Sequence, residues 1–211
     1  MILFKSAIRE AVMSGRLTIQ DDEGHPFPGW DFPEPAKLRF GWDGPKDPVG
    51  LQPASIDLHL GNHWLVPKPN AEHWEFSTGR YLDTALPIDY HEFIADTFIV
   101  PSHGFVLVRT QEVVGLDASL FGKVDGRSSF GRAGLFAETA GVIDNGFKGS
   151  ITLECVNALP YPVKLYAGTR CCQITLYEGK GSAEGGYQGG YQGQIGTKGS
   201  MLYRTVPGGA R

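Results

Sequence analysis

The chain has 211 residues, 41% of them hydrophobic and 20% charged, with a formal net charge of −4. That length and composition fit one ordinary domain with a sizeable core and exclude bulk disorder. The weakly acidic balance argues against a general nucleic-acid binder, and no apolar run reaches membrane-spanning length.

At the N-terminus, Glu10 stands where a signal peptide would stay apolar and no small-residue cleavage site follows, so a cytoplasmic protein is expected. Residues 4–15, FKSAIREAVMSG, predict a short helix with Ile8, Val12 and Met13 on its packed side, Arg9 and Glu10 in water, and Gly15 as its stop. Residues 20–50 are rich in Pro, Gly, Asp and aromatics and read as an insertion loop or hairpin that lays its aromatics on the body. From residue 55 the pattern becomes β. SIDLHLGNHWLV alternates, with Ile56, Leu58 and Leu60 on one face and Asp57 and His59 on the other. DTFIVPSHGFVLVRTQEVVGL predicts two strands split at Pro101–Gly104, and PVKLYAGTRCCQITLYEG two more around Ala167 and Gly168. Strands of this spacing without intervening helices, in a chain with 29 glycines and 14 prolines, point to a β-sandwich or jelly roll. Cys171 and Cys172 are adjacent, a poor geometry for a mutual disulfide, and Cys155 is left over. All three are expected reduced and buried.

The densest chemistry lies in residues 126–154, GRSSFGRAGLFAETAGVIDNGFKGSITLE. It opens with Arg127, Ser128, Ser129 and Arg132, whose guanidinium forks and hydroxyls suit phosphate oxygens. It closes on Glu154, a carboxylate in a run of strand formers, suited to proton transfer. Between them Asp144 precedes Asn145-Gly146, a tight-turn pair. Taken singly, each has a plainer reading: a solvated turn, an outward strand residue, a turn former. Their order and spacing carry the information. The glycine-rich tail, EGKGSAEGGYQGGYQGQIGTKGS, reads either as a flexible linker or as a lid that folds over a ligand.

These motifs together resemble the dCTP deaminase family, whose members share a trimeric, distorted jelly roll with the dUTPases. The likeness covers MILFKSAIREAVMSGRL, ASIDLHLG and nearly everything from residue 98 to 200. GRSSFGRAGL is similar to the family's phosphate-binding motif, TAGVIDNGFKGSITLE to its base-recognition and catalytic segment, AGTRCCQITL to the strands ending in its glutamine, and YQGQIGTKGS to its closing tail. Gly141-Val142 stands where deaminases of single activity carry His-Arg, so the chain resembles the bifunctional branch, which also cleaves dUTP to dUMP and pyrophosphate.

The resemblance implies a mainly β, distorted jelly-roll fold with a short N-terminal helix, as a homotrimer with sites at subunit interfaces. Residues 1–185 would form the domain and 186–211 the lid. Glu154 would be the general acid/base at C4 of cytosine. Ser128 would hold the attacking water and Arg132 would orient the glutamate. Arg127, Ser129 and Gln173 would contact the triphosphate. Asp144 would bind the sugar hydroxyl and activate a second water, with Phe147 packed on the deoxyribose. Ala140, Val142 and Ile143 would line the substrate, under Tyr187, Tyr191, Gln194 and Lys198 of the tail. The family's tail lysine is Gly190 here, with Lys180 or Lys198 as replacement.

Zinc is not expected. His73-Trp74-Glu75 supplies the H-x-E of zinc deaminases, but Cys171-Cys172 is no C-x-x-C. Mg²⁺ is expected on the triphosphate rather than in a protein cage. The expected partners are dCTP and dUTP, with dTTP a candidate feedback inhibitor, and neither nucleic acid nor membrane. Rival functions are a dUTPase without deamination and a silent nucleotide sensor.

Overall fold

Two twelve-residue strands, Ile56–Pro67 and Phe105–Leu116, run through the centre of the sheet. The chain is described, in a computed structural model, for residues 1–28, 30, 50–68, 89–138, 141–180 and 185–201. Its elements in order are α1 (Lys5–Met13), β1 (Leu17–Gln20), β2 (Ile56–Pro67), β3 (Tyr90–Ile94), β4 (Thr97–Val100), β5 (Phe105–Leu116), β6 (Leu120–Gly126), α2 (Ser128–Arg132), β7 (Leu135–Glu138), β8 (Val142–Ile143), β9 (Lys148–Asn157), β10 (Val163–Tyr166) and β11 (Arg170–Glu178). Among the described residues the main sheet runs β7-β9-β5-β2-β11-β6-β8, with β1 on β5 and β3 on β2, and β4 pairs β10 separately. The protein is mainly β, as its pattern predicts. The ladders shift register between Leu60 and Trp64 and between Arg109 and Val113. Such bulges bend the strands and let the sheet curl around its core, where Trp64, Leu58, Leu60, Val108, Leu153 and Ile174 are fully enclosed.

Helix α1 forms where expected and ends at Gly15, whose φ of 74° admits no β-carbon without strain. Its enclosed residues are Ile8 and Ala11. Val12 packs at the rim of the core, while Met13 and Arg9 are only half-buried. Ile8 and Val12 thus pack as expected and Glu10 is exposed, while Arg9, expected in water, is half-buried and Ala11 takes a core place. The N-terminal end of the helix is tied by Leu3 N–H to Leu176 O and Lys5 N–H to Pro53 O, both at 2.9 Å.

The polar face of β2 also departs from its pattern. Asp57 and His59 do not face solvent: they are 2% and 7% exposed. Strand β2 lies between β5 and β11, and its polar face is covered as well. His59 Nδ1 meets Glu112 Oε1 at 2.5 Å, its N–H donates to Glu112 Oε2 at 3.0 Å, and Phe27 stacks on its ring at 6.0 Å. Strands β10 and β11 form on either side of the Ala167-Gly168 turn, as expected; β10 joins β4, and β11 lies between β2 and β6. Asn145-Gly146 makes the expected tight turn, with Phe147 N–H donating to Asp144 O at 3.2 Å, but the turn does not join a paired hairpin. Only Gly146 takes a positive φ, 76°, and β8 pairs with β6 instead of β9.

The cysteines are reduced and wholly buried. Burial pushes the Cys155 thiol up to about 12 and raises Cys171 well above its ordinary value. Neighbours Cys171 and Cys172 both point inward because a bulge falls between Arg170 and Cys172. Of the 20–50 insertion, Phe27 and Trp30 pack on the core, and residues 31–49 lie outside the described residues.

Candidate active site

Strand β9 offers the sequence LECVN to two neighbours, with Glu154 opposite Leu107 of β5 and opposite Glu138 of β7. Alternation puts Thr152 and Glu154 on one face, away from buried Leu153 and Cys155. A cavity of about 590 Å³ opens on that face. Its apolar lining includes Leu107, Val124, Ile143, Phe147 and Ile151; Asp144, Thr152 and Glu154 supply polar groups from the protein body. Two carboxylates therefore share one largely apolar chamber, a setting in which a carboxylate can exchange protons with a bound base.

Residues 185–201 form a strap that closes one side. Tyr187 N–H donates to Asn145 O at 2.7 Å, and the ring of Tyr187 meets Phe147 edge-on at 5.7 Å. Gln192 bridges the turn, accepting from Lys148 N–H at 2.9 Å and donating to Gly146 O at 2.7 Å. Ser150 N–H donates to Gln194 O at 2.9 Å, and Lys198 N–H to Thr152 Oγ1 at 3.0 Å. Tyr187, Tyr191, Gln194, Lys198, Gly199 and Ser200 then line the cavity. Among the two readings of the tail, linker or lid, this part of the tail is docked. The close approach explains a glycine: a β-carbon on Gly149 would lie 2.9 Å from Gln194 O.

The strap is also held by His63. Thr197 N–H donates to His63 Nδ1 at 2.9 Å, so that nitrogen must accept, and Nε2, 2.7 Å from Glu92 Oε1, carries the proton. Sequence patterning did not single out His63 or Tyr90, because their roles depend on contacts far along the chain. Thr152 was within reach of the sequence, two residues before Glu154 on the same strand face.

The predicted site residues fall into two groups. Val142, Ile143, Asp144, Phe147, Glu154, Tyr187, Tyr191, Gln194 and Lys198 line the cavity. Arg127, Ser128, Ser129, Arg132 and Gln173 do not. Ser128–Arg132 form the one-turn helix α2, with both serines and Arg132 exposed and Phe130 buried as its anchor. Arg127 lies beside Asp57, and Gln173 sits opposite Asp57 in the ladder. Lys180 is exposed outside the cavity lining. Ala140 lies outside the described residues, as does His73-Trp74-Glu75. Among the described residues no group of three His, Cys, Asp or Glu is placed to hold a metal ion, and no helix is long and apolar enough to cross a membrane.

Comparison with known proteins decides the family. The model of the dCTP deaminase-like family matches residues 38–179. The chain belongs to the dCTP deaminase-like family. It is 42% identical over 165 residues to the "dCTP deaminase, dUMP-forming" of Persephonella marina, covering 75% of this chain and 87% of that one. It is 33% identical over 195 residues to the enzyme of the same name from Acidothermus cellulolyticus, covering 89% of this chain and 85% of that protein. Among solved structures, the 2′-deoxycytidine 5′-triphosphate deaminase of Agrobacterium tumefaciens has the same fold, with a TM-score of 0.53 at 22% identity. That match takes in 84% of this chain and spans 46% of the Agrobacterium chain. Within this family frame, the two carboxylates of the cavity and the arginine–serine group of α2 are the residues that need explaining together.

Proposed function

We propose that this protein deaminates dCTP to dUTP and ammonia, then hydrolyses dUTP to dUMP and pyrophosphate, each step consuming one water. The observation that carries the reading is the pairing of Asp144 and Glu154 in one apolar-walled cavity. The relatives named as dUMP-forming dCTP deaminases support it. Cytosine lies against the apolar lining with C4 toward Glu154. Glu154 takes a proton from the water that adds to C4 and delivers it to ring N3; it then takes the proton of the new C4 hydroxyl and passes it to the amino group, which leaves as ammonia as the C4 carbonyl forms. Asp144 binds the 3′-hydroxyl and activates the water that attacks the α-phosphorus. Phe147 stacks on the deoxyribose, where a 2′-hydroxyl would be buried without a partner. Val142, exposed toward the cavity, marks the bifunctional branch. The strap covers the bound nucleotide as a lid.

The arginine–serine group serves a neighbouring copy's cavity. Ser128 holds the C4 water there, Arg132 orients Glu154, and Arg127, Ser129 and Gln173 bind the triphosphate. A homotrimer with sites between subunits accounts for the separation of the two groups on one chain. It also accounts for large apolar side chains left exposed, Phe93, Ile94, Ile99 and Phe136 among them. Mg²⁺ suits this site as a partner of the phosphates. It needs few protein ligands, and Asp144 and Glu154 are the carboxylates that line the cavity. When bound, it neutralises phosphate charge. The address read from the sequence is the cytoplasm, and dTTP is the candidate inhibitor.

Chromatography of products after incubation with dCTP and Mg²⁺ tests the reading. Release of dUMP and pyrophosphate without a build-up of dUTP is the expected result. Accumulating dUTP would leave a deaminase alone. Untouched dCTP with cleaved dUTP would make the protein a dUTPase, and inertness toward both would favour a sensor.

A further inference from the structure

The bulge that buries Cys171 and Cys172 has a second effect, on the residues either side of it. Across the ladder, Arg170 stands opposite His59 and Gln173 opposite Asp57. Asp57 and His59 are two residues apart, so they share a face of the sheet, and their cross-strand partners share it too. Without the extra residue, Arg170 and Gln173, three apart, would face opposite ways. The same bulge holds Arg127, whose N–H donates to Cys171 O at 3.0 Å.

At this point the fold sinks one carboxylate between two arginines. Asp57 Oδ1 lies 3.3 Å from Arg127 Nε, and Oδ2 lies 3.5 Å from an Arg170 terminal nitrogen, with the Gln52 amide on Oδ2 at 3.2 Å. The Asp57 side chain is 2% exposed, while Arg127 and Arg170 are 28% and 48% exposed. The anion is hidden and the cations reach out. Two guanidiniums on one carboxylate leave a surplus positive charge, and the nearby Asp125 is matched by Lys123 at 2.6 Å. Arg127 meets Asp57 through Nε, which leaves its terminal nitrogens for an outside anion.

We propose that Arg170 is a further triphosphate-binding residue, and that Asp57 is the positioning residue that sets Arg127 and Arg170 side by side as a double fork. This rests on the reading of Arg127 as a phosphate contact. A buried carboxylate fixes both forks before the ligand arrives, so less rotamer freedom is lost on binding.

The test is calorimetric titration with inorganic tripolyphosphate and, separately, deoxycytidine, alongside dCTP kinetics. Arg170→Gln should weaken tripolyphosphate binding and raise KM for dCTP roughly ten- to hundredfold, as expected for a lost charge-assisted contact, with kcat and deoxycytidine binding nearly unchanged. Arg170→Lys should recover part of the loss, as a point charge without the fork. Asp57→Asn should also weaken tripolyphosphate binding, although it makes the site more positive, because the forks lose their anchor. Tighter binding in Asp57→Asn would overturn the positioning role. Unchanged tripolyphosphate binding in Arg170→Gln, with only a lowered Tm, would overturn the assignment of Arg170. A wild-type enzyme that turns dCTP over but ignores tripolyphosphate would overturn the inference alone. Wild type that neither binds tripolyphosphate nor turns dCTP over would overturn the nucleotide reading beneath it.

Discussion

Thr197 and His63 exchange two hydrogen bonds across 134 positions of sequence: Thr197 N–H to His63 Nδ1 at 2.9 Å, and Thr197 Oγ1–H to the His63 carbonyl at 2.5 Å. They pin the far end of the strap to β2, the central strand of the sheet. Thr197→Val keeps the shape and the backbone bond but loses the hydroxyl bond, worth about 1 kcal/mol. If turnover requires the docked strap, kcat/KM should fall roughly fivefold, the factor that energy corresponds to. Limited proteolysis should cut the tail faster while the Tm of the body barely moves.

Gly149 gives a stronger test of the same closure. An alanine there would put its β-carbon 2.9 Å from Gln194 O and 3.0 Å from the Phe147 ring. Overpacking of this kind costs about 1–3 kcal/mol, and the strap is the part with room to move. Gly149→Ala should therefore fold, lose the protection of its tail, and turn dCTP over roughly five- to 150-fold more slowly, by the same conversion of that cost. A protected tail with normal turnover would show that the contact relaxes without consequence.

The two carboxylates are expected to separate the two chemical steps. Glu154→Gln should reduce ammonia release by roughly a hundredfold to ten-thousandfold, the range of general acid–base catalysis, while dUTP supplied directly is still cleaved. Asp144→Asn should leave deamination measurable and let dUTP accumulate. Loss of both steps in either variant would mean that the carboxylates act as one unit. Ammonia and nucleotide products, measured together, decide it.

Cys155 predicts a behaviour at alkaline pH. Its folded thiol keeps its proton up to about 12, against an ordinary value of 9.0. Between those values the unfolded chain binds fewer protons than the folded one, so stability falls as pH rises above about 9. Cys155→Ala lacks this contribution, and its denaturation midpoint should decline less steeply there. Native wild-type protein should also leave its thiols unreacted with a thiol reagent until denaturant is added.

The legible part of this protein was what neighbours in sequence encode. Alternation in SIDLHLGNHWLV and in the run to Glu154 marked β2 and β9, because a strand's faces repeat every second residue. Gly15 and Gly168 marked stops and turns through their positive φ. The order of Arg127, Ser128, Asp144 and Glu154 carries the family resemblance in one dimension, since motif spacing needs no fold to be read.

What only the tertiary structure decided involves partners distant in the chain. Asp57 and His59 look like an exposed face until β11 and the residues after β1 cover them, and alternation cannot tell solvent from a buried ion pair. The strands around Ala167 and Gly168 were legible, but their partners were not: β10 joins β4 and β11 joins β2, residues far away in the chain. The tail's composition is that of a linker. It docks because β9 presents bare backbone beside two glycines, Gly146 and Gly149, where a strap can come within hydrogen-bonding distance. The sequence by itself determined the main strands and the order of the polar residues along them; the register, the bulge at Cys171 and the closure of the strap arose from contacts that form only once the sheet has curled.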